Sequence, residues 1–96
     1  MTYKLIGEVG TEITSKQVQE MLVQAGGQDI TFDLFTEGGS YFEGLAIYEM
    51  IKKYSGQVTF KILGLSASMG TYIMLAGDRI LMGKNSWLMI HNPLTA

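Results

Sequence analysis

Segments with the period-two alternation of strands take turns along this chain with segments of helical period, and that alternation leaves few folds open. Residues 3–9 read as a strand with Leu5, Gly7 and Val9 on one face. Residues 14–17, Thr-Ser-Lys-Gln, fit a capping box, and Val18, Met21, Leu22 and Ala25 follow at helical spacing before Gly26 and Gly27 stop the helix. Residues 29–36 alternate Ile30, Phe32 and Leu34 against Thr31 and Asp33. A glycine turn at 37–40 leads into a second helix with the stripe Ile47, Met50, Ile51 and Tyr54, closed by Ser55 and Gly56. Residues 57–64 form another strand, with Val58, Phe60 and Ile62 opposite Thr59 and Lys61, followed by a buried helix over 68–77. Short strands at 79–82 and 87–91 complete the order. Strands separated by helices require crossover connections, so the chain is expected to be a single α/β domain over residues 1–96 with a largely parallel sheet.

Composition removes several function classes. Seven basic and nine acidic residues give a net charge of −2 without long runs, which argues against a nucleic-acid partner. The chain has no cysteine, so disulfides, thiolate metal sites and a cysteine nucleophile are all excluded, and a reducing, cytoplasmic setting is expected. The N-terminus has no long apolar core and no small-residue cleavage site. Residues 62–77 carry no charge, but Gly64, Gly70 and several hydroxyls interrupt them, and a strand plus a buried helix explains them better than a membrane span. The methionines, Trp87, Phe32, Phe35 and Phe60 read as packing.

Three segments converge on the carboxyl ends of the strands, where open α/β sheets place their sites. They are Gly38 and Gly39, then Ser68, Met69 and Gly70, then His91, the only histidine. Acyl transfer needs a hydroxyl nucleophile, a base to take its proton and N–H donors aimed at the developing oxyanion. A serine on a strand-to-helix turn, a histidine and a glycine pair that admits close backbone approach can supply these. Each residue also has a plainer reading. Ser68 could cap a helix, Gly38 and Gly39 could form an ordinary turn, and His91 could be a hydrogen-bonding residue at a strand end. A metal site is not expected because no second histidine shares the ion, and neither glycine-rich phosphate motif is present. Ser66 reads as a turn residue bonded to the backbone, and Asp33 as a neighbour of Lys61 on the next strand.

Three blocks carry a resemblance to a known family. They are Glu-Gly-Gly-Ser-Tyr-Phe-Glu-Gly-Leu-Ala-Ile-Tyr at 37–48, Gly-Leu-Ser-Ala-Ser-Met-Gly at 64–70 and Asn-Ser-Trp-Leu-Met-Ile-His-Asn-Pro at 85–93. In order and spacing the chain resembles the ClpP-type serine peptidases, and most closely the ClpP-related head-maturation proteases of tailed bacteriophages. The resemblance implies a ClpP/crotonase-like spiral of βα units. It also implies Ser68 as nucleophile, His91 as general base, and the Gly39 and Met69 amides as oxyanion hole. A polypeptide substrate would add as an extended strand along Gly38, Ser40 and Tyr41 on one side and Leu94 and Thr95 on the other. No cofactor is implied, and assembly with further copies of itself is.

Two departures from the family pattern stand out. Thr36-Glu37 replaces the usual Ser-Pro before the glycine pair, so a looser oxyanion loop is expected. The family's acidic third member lies beyond the histidine strand. The chain is therefore expected to be the N-terminal portion of the peptidase domain, truncated after that strand and carrying a dyad. If phage-encoded, it would work in the host cytoplasm or the prohead, on capsid or scaffold proteins. A catalytically incomplete assembly subunit and a crotonase-type acyl-CoA enzyme are the alternatives.

Overall fold

A computed structural model describes residues 1–83 and 87–89. It contains β1 (Thr2–Ile6), α1 (Ser15–Ala25), β2 (Ile30–Thr36), α2 (Tyr41–Lys53), β3 (Val58–Ala67), α3 (Met69–Met74), β4 (Arg79–Met82) and β5 (Trp87–Met89). Every pairing is parallel: β1 with β2, β2 with β3, and β3 with both β4 and β5. The expected α/β architecture with a parallel sheet is therefore present. β1 is shorter than expected, because at Gly7 (φ 119°) the chain leaves the strand, and Val9 makes only isolated bridges to Ile13 and Gly39.

Alternation decides which face of the sheet is buried. Leu5 of β1, Ile30, Phe32, Leu34 and Thr36 of β2, and Val58, Phe60 and Ile62 of β3 are all buried. They form one core with Val18 and Ala25 of α1, Ile47 and Ile51 of α2, and Met69, Ile73 and Met74 of α3. Phe32 and Phe60, register partners on β2 and β3, stack with ring centroids 5.4 Å apart. Burying each such ring contributes roughly 1.5–3 kcal/mol. The opposite face carries the register row Lys4, Asp33, Lys61 and Leu81. Beside it Ile6 and Phe35 pair at 49% and 43% exposure. Phe35 is thus not a core residue: it falls on the sheet face that no described helix covers.

Helix ends follow their chemistry. The Thr14 hydroxyl accepts the Gln17 N–H at 3.1 Å and caps α1, and Gly26 ends it in the left-handed region at φ 60°. Only half of the capping box forms, since the buried Gln17 Oε1 has no partner among the described residues. Glu43 instead accepts both the N–H and the hydroxyl of Ser15, at 2.9 and 3.0 Å, and so ties the start of α1 to the start of α2.

β3 differs most from expectation. It runs through Gly64 to Ala67 instead of stopping at the glycine. Register advances from Leu34↔Ile62 to Thr36↔Ser66, so two steps along β2 span four along β3. Gly64, at φ 81°, sits in that bulge, which bends the strand. Before the bulge β3 pairs with β4, and after it with β5. α3 is also shorter than the helix expected over 68–77.

Candidate active site

The residue after β3 is Ser68, at φ 54° and ψ −120°. It is the only non-glycine residue with positive φ among those described. A side chain in that region costs about 1–3 kcal/mol and persists only where its surroundings impose it. The imposing parts are β3, which delivers the chain from one side, and α3, which takes it up on the other. The plain capping role does not hold, because the Ser68 hydroxyl makes no cap hydrogen bond. Its side chain is half-buried.

Ser66, two residues earlier, is no turn residue. It lies within β3, fully buried, and among the described residues its Oγ has no hydrogen-bond partner. Its carbonyl accepts the Thr71 hydroxyl at 3.2 Å, which anchors α3 to the strand.

The glycine pair lies against this turn. A Cβ added at Gly38 (φ 110°) would stand 2.7 Å from the Ser68 Cβ and 3.2 Å from its Oγ. Added at Gly39 (φ 141°), it would overlap the Val9 carbonyl oxygen. Both positions therefore need glycine for close approach as well as for φ.

Main-chain bonds fix which way the amides face. The Val9 N–H donates to the Gly38 carbonyl at 2.8 Å, and the Ser40 N–H donates to the Val9 carbonyl at 2.8 Å. The Gly38 carbonyl and the Gly39 N–H belong to one rigid trans peptide. With the carbonyl held on Val9, the Gly39 N–H is turned to the opposite side. The same logic applies at Met69. The Ser68 carbonyl accepts the Thr71 and Tyr72 N–H groups at 3.1 and 3.3 Å, so the Met69 N–H points away from α3. The Gly39 N–H is thus turned away from Val9 and the Met69 N–H away from α3, one beside the glycine that touches Ser68 and the other directly after it.

The turn before the glycines is held without proline. The Gly38 N–H donates to Thr36 Oγ1 at 3.0 Å, and the Thr36 hydroxyl lies 3.4 Å from the Gly38 carbonyl. The loop is thus tied down by Thr36 and Val9, against the expectation of looseness. Neither residue stands out in a search for reactive groups. Thr-x-Gly after a strand is, however, the signature of a hydroxyl-stabilised turn, and it was readable at Thr36.

Of the other candidate residues, Ser40 has its N–H on Val9, its carbonyl accepting the Gly44 N–H at 3.1 Å and its side chain capping α2. Tyr41 is half-buried at the first turn of α2. Met69 is fully buried and packs against Gly44, where a Cβ would overlap its methyl. His91, Leu94 and Thr95 lie outside the described residues. Of the acids near the strand ends, Asp33 is the register partner of Lys61, and Asp78 accepts the Val58 N–H at 2.7 Å on the far edge of the fold. Among the described residues no group of His, Cys, Asp and Glu is placed to hold a metal ion.

A cleft of about 370 Å³ borders the glycine pair and is lined by Gly7, Glu8, Glu12, Phe35, Thr36 and Glu37 besides the glycines. Its charged lining is entirely acidic.

Comparison with known proteins places this geometry in context. Residues 2–96 match the Clp protease family. The chain is 31% identical over 94 residues to the chloroplastic ATP-dependent Clp protease proteolytic subunit 3 of Arabidopsis thaliana, covering 93% of this chain and 29% of that one. Among solved structures it superposes on ClpP1 from Listeria monocytogenes with a TM-score of 0.82 at 28% identity. A point mutant of the same Listeria protein gives 0.86 at 29%. Each alignment covers 96% of this chain and 56% of the other. The fold is also that of a point mutant of the membrane-bound stomatin-specific protease 1510-N, with a TM-score of 0.83 at 20% identity over 91% of this chain and 44% of that one. The chain thus spans between about a third and just over half the length of these relatives.

Proposed function

The chain belongs to the Clp protease family, and on that premise we propose that it is a serine endopeptidase with Ser68 as nucleophile. His91 takes the Ser68 hydroxyl proton as Oγ attacks the scissile carbonyl carbon. The Gly39 and Met69 N–H groups receive the negative charge that develops on the carbonyl oxygen. Collapse expels the amine, which leaves with the proton from His91. Water, deprotonated in the same way, then releases the acyl group and restores Ser68. The observation that carries this reading is the Ser68 backbone at φ 54°, with Gly38 against its side chain and no cap bond on its hydroxyl. A merely structural serine gains nothing from that conformation.

Substrate enters this reading as an extended polypeptide. With the Ser40 main chain engaged internally, Tyr41 and the residues after His91 are the partners we assign to it. Capsid or scaffold proteins of a tailed phage are the proposed targets, on the strength of the sequence blocks at 37–48, 64–70 and 85–93. The working form is a homo-oligomer.

A fluorophosphonate probe tests the chemistry. It is expected to add once per chain, with the adduct mapped to Ser68 by peptide mass spectrometry, and Ser68→Ala should abolish it. Stoichiometric labelling that survives Ser68→Ala, or a folded protein that never labels, overturns the assignment.

A further inference from the structure

The two donors assigned to the oxyanion stand on different strand ends, Gly39 beyond β2 and Met69 beyond β3. Such a pair stabilises charge only if its members keep their spacing as the reaction proceeds. Thr36 touches both sides. It is the last residue of β2, 1% exposed, and register partner of Ser66. Its Oγ1 accepts the Gly38 N–H at 3.0 Å and lies 3.4 Å from the Gly38 carbonyl, the other end of the peptide that carries the Gly39 N–H. Its methyl group faces Gly70, where an added Cβ would overlap it. Gly70 directly follows the Met69 amide. One buried side chain thus grips the first donor loop through its hydroxyl and abuts the second through its methyl.

We propose that Thr36 is a positioning residue that sets the distance and relative orientation of the Gly39 and Met69 donors. The proposal rests on the serine-peptidase reading of the site. Threonine suits the task because its branched Cβ holds hydroxyl and methyl in a fixed relation. Valine keeps the shape without the hydroxyl, and serine keeps the hydroxyl without the methyl.

The test compares rates of fluorophosphonate addition to Ser68 and, with a peptide substrate, kcat and KM separately. Losing one oxyanion donor outright costs about 10²–10³ in rate, so a displaced donor in Thr36→Val should slow labelling and kcat by about tenfold or more. KM should stay within about twofold, since ground-state binding does not use the oxyanion contact. Thr36→Ser, which keeps the hydroxyl grip but loses the methyl contact, should fall between wild type and Thr36→Val. A folded Thr36→Val that labels at the wild-type rate, or a Thr36→Ser as slow as Thr36→Val, overturns the proposal.

Thr36→Val leaves the Gly38 N–H buried without a partner, and if it fails to fold a second pair of variants decides. Gly70→Ala pushes on the Thr36 methyl and should slow labelling. The added Cβ would also stand 2.9 Å from Ser66 Oγ, so the rescue combines Thr36→Ser with Ser66→Ala. Removing both contacts should restore the rate, whereas no restoration overturns the proposal. The peptidase reading fails separately, if wild-type protein is folded and Ser68 stays unlabelled. In that case amide NMR still tests the bracket. Thr36→Ser should move the Met69 and Gly70 resonances as well as those of Gly38 and Gly39, and changes confined to residues 36–39 overturn it.

Discussion

Ser68 holds a backbone conformation that disfavours any residue with a Cβ, and no hydrogen bond from its hydroxyl to the helix compensates. Glycine adopts φ 54° without that penalty, although it is more flexible when unfolded. Ser68→Gly is therefore expected to stabilise the fold by about 1 kcal/mol while losing all probe labelling. Chemical denaturation of the two proteins checks the first half, and an unchanged or lower midpoint would count against strain at this residue. Ser66 offers an independent case. Among the described residues its buried hydroxyl has no partner, and such a group costs about 1–3 kcal/mol. Ser66→Ala should raise the denaturation midpoint and leave labelling at Ser68 within about twofold of wild type. A loss of stability would mean that Ser66 Oγ makes a bond absent from the described residues.

At the scale of elements, the bulge in β3 aims the serine. Gly64 at φ 81° allows the bend, and a Cβ there would stand 3.2 Å from the Phe35 ring. Gly64→Ala is expected to destabilise by about 1–2 kcal/mol and also to slow labelling, because it disturbs the strand that delivers Ser68. Gly26→Ala is the control. It has a similar φ of 60° and open space around it, and it should cost about 1 kcal/mol with no effect on labelling. Equal labelling rates in the two variants would remove the bulge from the site.

The same strand shows where the sequence was legible. Alternation from Val58 to Ile62 marked β3 correctly, and Thr14 and Gly26 marked both ends of α1. In sequence Gly64 reads as a stop, because a glycine that bends a strand and one that ends it look alike. Only pairing with β2 and β5 distinguishes them. Phe35 reads as core in sequence because alternation tells which residues share a face, not which face is covered. Ser68 and the glycine pair were visible as motifs, but the peptide orientations set by Val9 and the double contact of Thr36 come from elements far apart in the chain.

At the scale of the whole molecule, the three helices among the described residues serve one face of the sheet. The other face leaves Ile6, Phe35 and Leu81 each more than two-fifths exposed. β4 adds Ile80 and Met82, exposed on the side of the sheet that the helices cover elsewhere. Apolar surface of this kind is expected to draw copies of the chain together. Light scattering should give a mass above that of one chain, and Leu81→Lys should lower it. A monomeric wild type, or an assembly indifferent to Leu81→Lys, would place the contact elsewhere or remove it.

The all-parallel pairing has a consequence in time. No two neighbouring strands among those described can zip from a hairpin, so their pairing waits on distant contacts, and folding through such contacts is slow. The serine turn is expected to be defined last, because it needs β2, β3, the Val9 loop and α3 together. Competence to react at Ser68 should therefore trail the recovery of helical circular dichroism during refolding. A nascent or half-folded chain would be chemically silent, and its reactivity would report the completion of folding.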